Sequence, residues 1–317
     1  MRDTAPVFSV VVPTHNRPAQ LAVCLQAIAE MSYPRERFEV IVVDDGGTTS
    51  LQQIYDSFRS RLELTFLRRE QGGPGAARNT GVEHARGRYL AFTDDDCAPS
   101  QDWLARLQDR FEQAPDELCG GRTVNGLTQN PYSAASQAVI DVVYSWQPDA
   151  ADFPQFFASN NLAVPADLFR KIGGFNPAFE VSEDREFCDR WAHSGYRMAY
   201  APEVIICHRH NLSLWTLLKQ HFNYGRGARC FHKQREHLGW GRFRSDTSFH
   251  VRLLRHGLAN PFASTGTTVA LLACTQMAIA AGYAWERIVD SEAAREVFKD
   301  PDTAQRKKST HSATARI

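Results

Sequence analysis

The sequence predicts an α/β fold, a mainly parallel sheet flanked by helices, with a C-terminal helical extension. Two features of the first hundred residues carry that prediction. Short apolar, β-rich runs alternate with amphipathic helical repeats, and polar residues gather where the apolar runs end. Alternation of this kind builds right-handed crossovers and a sheet covered on both faces. Ligands of such sheets bind beyond the carboxyl ends of the strands. The composition agrees: 317 residues, 43% hydrophobic and 23% charged, describe a folded globular chain and exclude a disordered or fibrous one.

The elements follow in order. Phe8–Val12 is a buried strand stopped by Pro13. Asn16 can cap the helix that Pro18 opens, in which Leu21, Cys24, Leu25 and Ile28 repeat at helical spacing. Phe38–Val43 is a second strand running into Asp44-Asp45-Gly46-Gly47, and Leu51, Ile54, Tyr55 and Phe58 mark a second helix. Leu62–Leu67 is a third strand, and Gly72–Arg86 a glycine-entered helix. Tyr89–Phe92 is a fourth strand that delivers Asp94-Asp95-Asp96 to the rim. Beyond residue 100 the pattern loosens. Ser100 can cap a helix carrying Trp103, Leu104, Leu107 and Phe111, Leu118–Val124 reads as a strand, and Tyr132–Trp146 as a helix. Residues 156–175 read as strand, proline-started helix and Gly-Gly stop. Ser182 can cap a helix with Asp184, Phe187, Cys188 and Trp191 on one face, and strands near 197–200 and 204–207 lead to His208-Arg209-His210.

The zero formal charge hides a division along the chain. Residues 1–196 hold 18 basic and 27 acidic side chains, a net −9, whereas residues 197–256 hold 11 basic and 3 acidic, a net +8, with seven of the eleven histidines. Neutrality excludes a globally basic nucleic-acid coat, and no nucleic-acid partner is expected. The basic block reads either as a solvated face or as one that meets something phosphorylated. Seven scattered cysteines without a C-x-x-C pair argue for reduced thiols, a cytoplasmic setting and no structural zinc. Met1-Arg2-Asp3 passes straight into the first strand, so no secretory signal is expected.

Three adjacent carboxylates repel one another unless a cation or a proton relieves them. Asp94-Asp95-Asp96 is therefore a metal-binding run or a capping turn, and its place at a strand end favours a metal of the Mg²⁺ or Mn²⁺ type. Asp44-Asp45 reads as an Asx turn or as a carboxylate for a base or ribose. The glycine-rich Gln71–Gly81 lacks dinucleotide and P-loop spacings and reads as a helix entry presenting Arg78 toward a diphosphate or the neighbouring aspartates. Glu183-Asp184 opens a helix, whose dipole keeps a carboxylate ionised as a general base requires. Asp184 is expected to point inward and Glu183 outward.

Taken in order, VVVPTHNR (10–17), EVIVVDDGG (39–47), GGPGAARNTG (72–81), GRYLAFTDDDC (87–97), GGF (173–175), SEDREFCDRWAHSGYR (182–197) and HFNYGRGA (221–228) resemble family 2 glycosyltransferases. The resemblance spans roughly residues 7–230. It implies the glycosyltransferase A-type fold over 1–212, with a nucleotide-binding half (1–100) and an acceptor half (101–212). It implies metal-dependent, inverting transfer from a nucleotide diphosphosugar, expected to be a UDP-sugar, to a glycan, lipid-linked or small-molecule acceptor. It places Thr14, Asn16 and Arg17 near the nucleotide, Asp45 on its base, Arg78 near base and phosphates, and Asp95 near the ribose. Asp94 and Asp96 form the Asp-X-Asp motif, with Asp96 the direct ligand of Mn²⁺ or Mg²⁺ and His208 a third ligand. Asp184 matches the general base, Glu183 its neighbour, and Asn160 and Asn161 contacts to donor sugar or acceptor. Cys97 stands where many relatives carry another acid. The Gln-x-x-Arg-Trp motif of processive members is absent, which favours a single-addition enzyme.

Two other classes share parts of these features. A sugar nucleotidyltransferase would carry its glycine-rich loop after the first strand, where Pro13-Thr14-His15-Asn16-Arg17-Pro18 stands, and a non-catalytic nucleotide-sugar binding module would not need Asp184. Residues 213–290 form a basic helical region in which 212–232 reads as a helix. Uncharged Thr267–Trp285 is expected to be a buried helix or hairpin, with a membrane-spanning or surface-lying segment as alternatives. An anionic membrane surface, the inner face of the cytoplasmic membrane, is a further expected partner. Residues 291–317 read as a polar, disordered tail.

Overall fold

The computed structural model describes residues 5–145, 156–241 and 247–299. Strand β1 (Phe8–Thr14) is buried along nearly its whole length, as a central strand covered on both faces must be. It pairs in parallel with β2 (Phe38–Asp45) and β4 (Tyr89–Phe92), and β2 pairs in parallel with β3 (Leu64–Arg69). The sheet continues through β7 (Leu162–Pro165), antiparallel to both β4 and β6 (Leu118–Asn125). It then passes to β8 (Met198–His208), parallel to β6, and ends with the three-residue β5 (Cys97–Pro99), antiparallel to β8. One eight-stranded sheet of order β3-β2-β1-β4-β7-β6-β8-β5 thus runs through both expected halves.

Alternating side chains of each strand feed two cores. On one face, Phe8, Val10 and Val12 of β1 meet Leu21, Cys24, Leu25 and Ile28 of α1 (Pro18–Ala29), Phe58 of α2 (Gln52–Phe58), and Trp103, Leu104, Leu107 and Phe111 of α4 (Trp103–Gln113). On the other, Val11, Ile41, Val43, Leu90 and Phe92 meet α3 (Pro74–Glu83), Phe169 of α6 (Ala166–Ile172), and Phe187 and Trp191 of α7 (Glu183–His193). The helix expected over 132–146 is α5 (Pro131–Ser145), with Trp146 outside the described residues. The expected caps are realised differently. Arg17, Asp102 and Ser182 flank α1, α4 and α7 without side-chain cap bonds, and Asn16 and Ser182 instead adopt left-handed backbone conformations.

The C-terminal region is helical: α8 (Leu214–Leu238), α9 (Thr247–Ala259) and α10 (Thr265–Lys299). Helix α8 begins with a capping box between Ser213 and Thr216. It crosses α10 at glycine contacts close enough that a Cβ on Gly225 would lie 2.0 Å from the Ile279 carbonyl oxygen, and one on Gly282 1.9 Å from that of Phe222. The uncharged stretch 267–285 is part of one continuous helix, not a hairpin. Over Thr265–Val289 it is long and apolar enough to cross a membrane (mean hydropathy 1.3), with 28% of its apolar window buried inside the protein. Residues 291–299, expected in a disordered tail, continue this helix, and 300–317 lie outside the described residues.

Candidate active site

The carboxyl ends of β1, β2, β4, β6 and β8 and the amino ends of antiparallel β5 and β7 share one rim, where the acidic residues collect. Antiparallel pairing of Cys97 with His208 continues into a hydrogen bond from the Arg209 N–H to the Asp96 carbonyl, 2.8 Å. This register brings His208 Nε2 to 3.2 Å from Asp96 Oδ1. Arg17 Nη1 lies 3.2 Å from Asp95 Oδ1 and 3.3 Å from Asp96 Oδ2, and Thr14 Oγ1 donates to Asp95 Oδ2 at 2.7 Å.

The three aspartates differ electrostatically. Burial pushes the Asp95 carboxyl up to about 6, against the opposing Thr14 hydrogen bond and Arg17 charge. Burial acts on Asp96 in the same direction but is outweighed by the His208 hydrogen bond and the charges of His208, His210 and Arg17, so its carboxyl falls to about 2. Burial pulls the His208 imidazole down, yet Asp96 leaves it above its ordinary value. Asp94 faces away from this pair. Its Oδ1 is 2.5 Å from Arg78 Nη2, while Arg78 Nη1 is 2.8 Å from Glu183 Oε1.

Arg78 is 3% exposed, and its guanidinium lies 5.7 Å from the centre of the Phe175 ring. It therefore joins the acids after β4 to the pair that opens α7. That pair departs from expectation: Glu183 is the buried member at 6% exposure, and Asp184 is half-buried. Both carboxyls are raised, Glu183 to about 7, by burial first and then by Asp184, and Asp184 by burial. Asp184 accepts peptide N–H bonds from Ser159 (3.2 Å) and Arg185 (2.8 Å), which orient it without consuming either oxygen fully.

Other expected site residues are placed as follows. Asp45 Oδ1 accepts from Arg69 (2.9 Å) and Gly72 N–H (3.0 Å), and Oδ2 from Gly73 N–H (2.7 Å). Gly73 at φ +86° makes this turn, a conformation that favours glycine. Asn16 Oδ1 accepts from the N–H groups of Thr48 (2.7 Å) and Thr49 (3.0 Å), holding the loop after β2. Asn160 accepts from Thr123 Oγ1 at 3.3 Å and lines a cavity of about 70 Å³ with His208, His210, Gln137, Gln220 and Tyr224. Asn161 does not belong to the site. Its Oδ1 accepts from Trp103 Nε1 (3.0 Å) and its Nδ2 donates to the carbonyls of Arg122 and Val204 (3.0 Å each), all in the interior. The short 3₁₀ turn Ser159–Asn161 directs the two asparagines to opposite sides. Arg78 meets the neighbouring acids Asp94 and Glu183, the second of its two sequence readings.

Sequence reasoning missed Gln137 and Gln220 as cavity walls, and treated His210 only as a neighbour of His208. The spacing of His208 and His210, two apart at a strand end, was a usable signal because it puts both on one side. Their rings lie 4.9 Å apart. The glutamines carry no such signal.

Among the described residues, the His/Cys/Asp/Glu group able to hold a metal is Asp96, Cys97 and His208. Burial, then the nearby aspartates, push the Cys97 thiol well up, so it stays protonated and is a poor ligand. Asp96 and His208 do fit an octahedral cation. Two adjacent ligand atoms on an ion at Mg²⁺-type distances sit about 3 Å apart, which their 3.2 Å separation matches.

Comparison with known proteins gives this sheet the glycosyltransferase A-type fold and makes the molecule a glycosyltransferase. The description "Glycosyl transferase family 2" matches residues 9–172 and "Glycosyl transferase family group 2" residues 91–285. The chain belongs to glycosyl transferase family 2. It is 32% identical over 231 residues to glycosyltransferase AglE of Haloferax volcanii, covering 72% of this chain and 74% of that one. It is 38% identical over 171 residues to the poly(ribitol-phosphate) beta-N-acetylglucosaminyltransferase TarS of Staphylococcus aureus, covering 51% of this chain and 30% of TarS. It also spans 46% of the pre-mycofactocin glycosyltransferase of Mycobacterium tuberculosis, so it matches less than half of the length of both these relatives. The mannosyltransferase PcManGT of Pyrobaculum calidifontis, solved with GDP-Man and Mn²⁺, superposes with a TM-score of 0.59 at 20% identity, over 96% of this chain and 84% of that one.

Proposed function

We propose that this chain transfers a sugar, one residue per encounter, from a nucleotide diphosphosugar to an acceptor hydroxyl with inversion at the anomeric carbon, in glycan or glycoconjugate biosynthesis. The observation that carries the reading is the Arg78 bridge. It sets Asp94 and Glu183 within the span of one guanidinium, so the donor-side acids and the base-side acids face one space. Asp184 takes the acceptor proton, its carboxylate held in place by the Ser159 and Arg185 N–H groups. A single displacement with one base inverts the centre.

Asp96 and His208 would hold Mn²⁺ or Mg²⁺, which when bound supplies Lewis-acid stabilisation of the departing diphosphate, and Asp94, expected as a ligand, is turned to Arg78 instead. Thr14, Arg17 and Asp95 shape the nucleotide side, and Asp45 and Asn16 order the loops that enclose it, with Asp45 Oδ2 able to accept one further bond from a base. Asn160 is the asparagine assigned to donor sugar or acceptor. The acceptor is a glycan, lipid-linked or small-molecule hydroxyl compound. The setting proposed is cytoplasmic, peripheral on the inner face of the cytoplasmic membrane.

Nucleotide release from a panel of UDP- and GDP-sugars with Mn²⁺ or Mg²⁺ tests the reading, with UDP-sugars expected to respond. Asp96→Ala and Asp184→Ala should each abolish turnover of the responsive donor. Full activity in both would overturn the site assignment.

A further inference from the structure

Helix α9 buries Leu253 and Gly257 and half-buries Phe249 against α5 and α10. Its opposite face is also apolar. Val251, Leu254 and Leu258 are 47%, 46% and 50% exposed and, at i, i+3 and i+7, form one stripe. A helix on the surface of a soluble domain presents polar residues there instead. Arg252 and Arg255 lie exposed beside the stripe and make no ion pair among the described residues. The sequence has no carboxylate from Thr247 through Trp285 that could answer them locally. Helix α10, packed on α9 and α5, leaves Met277 (63%) and Trp285 (55%) outward along the same uncharged stretch.

We propose that α9 docks the enzyme onto an anionic lipid surface. Val251, Leu254 and Leu258 enter the headgroup boundary, and Arg252 and Arg255 meet lipid phosphates. Charge selects this occupant over a second copy of the chain. Two such faces would bring four unpaired arginines together with no acid between them, whereas an anionic bilayer supplies both the apolar layer and the counter-charge. The inference deepens the membrane part of the reading above and is independent of the transfer chemistry.

Flotation of the full chain with vesicles of phosphatidylcholine alone, or of phosphatidylcholine with phosphatidylglycerol, tests it. The protein should float with the anionic vesicles and be released by salt. Arg252→Gln with Arg255→Gln should weaken partitioning roughly thirty-fold, at about 1 kcal/mol per basic residue near the surface. Leu254→Glu with Leu258→Glu should abolish it while leaving nucleotide release from a responsive donor unchanged. Equal binding to both vesicle types, wild-type flotation of the Leu254/Leu258 variant, or loss of flotation only on Met277→Glu with Trp285→Glu would each overturn the assignment to α9. So would a wild-type dimer that the Leu254/Leu258 variant dissolves. A chain that floats as expected but turns over no donor would count against the transferase reading and leave this one standing.

Discussion

Arg78 divides its guanidinium between two carboxylates 89 positions apart in sequence, Asp94 and Glu183. Burial raises both carboxyls of the Glu183–Asp184 pair, Glu183 to about 7, so the pair takes up protons at higher pH than free carboxylates do. Activity should therefore fall on the acid side at a higher pH than an unperturbed aspartate base would give, measured as kcat/KM for a responsive donor. Removing the guanidinium takes away the charge that opposes this rise, so Arg78→Met should move the acid limb to higher pH. Asp184→Asn should lower kcat by roughly 10²–10⁴ with little change in donor KM. The two asparagines separate cleanly. Asn161→Ala leaves Trp103 Nε1 and two carbonyls without partners and should cost roughly 3 kcal/mol in urea unfolding, while Asn160→Ala should change KM and not stability. Residue chemistry was largely legible where it is local. The Asp run, Glu183-Asp184 and His208 stand out in the sequence. Which of Glu183 and Asp184 turns inward was not, because the left-handed Ser182 starts the helix differently from the assumed cap.

At the scale of elements, the strands of the nucleotide side were readable from apolar runs and their punctuation. The less regular acceptor side was readable only in outline. The two strands expected near 197–200 and 204–207 are one strand, β8 (Met198–His208), whose register with β6 shifts between Gly121 and Arg122, and a local irregularity of that kind hides a strand's continuity. Helix α10 was recognised by its lack of charge but not in extent, since its polar last turns have no apolar repeat. Its anchoring on α8 rests on glycine, which no periodicity reveals. Gly282→Ala would place a methyl group against the Phe222 carbonyl and should destabilise the protein by roughly 1–3 kcal/mol, read by urea unfolding, with loss of the α8–α10 contact.

For the whole molecule, the acidic body and basic C-terminal region are parts with different tasks. The net −9 of residues 1–196 includes the acids of the rim, many of them already answered by Arg17, Arg69 and Arg78. Arg252 and Arg255 on α9 make no ion pair among the described residues. A cation held by Asp96 and His208 would bind the folded chain alone, so Mn²⁺ in hundredfold excess over its dissociation constant should add about 2.7 kcal/mol of stability. A thermal scan should show this as a raised midpoint, and neither His208→Ala nor Asp96→Ala should show it. The prediction reads the site without any donor or acceptor.

The rung that pairs Cys97 with His208 has a consequence for how this protein can change over generations. Asp96 and His208 are neighbours because a ladder of three residues is in step, not because a loop happens to fold over. One residue inserted between Asp96 and Pro99 would invert the faces of that ladder and part the two side chains, whatever residue it was. The same insertion in the turn at 126–130, a few residues past the end of β6, would lengthen a loop and leave the pair intact. Length variation among descendants of this chain should accordingly be permitted around residues 126–130 and excluded at 96–99, a pattern set by counting hydrogen bonds and not by the chemistry of any one side chain.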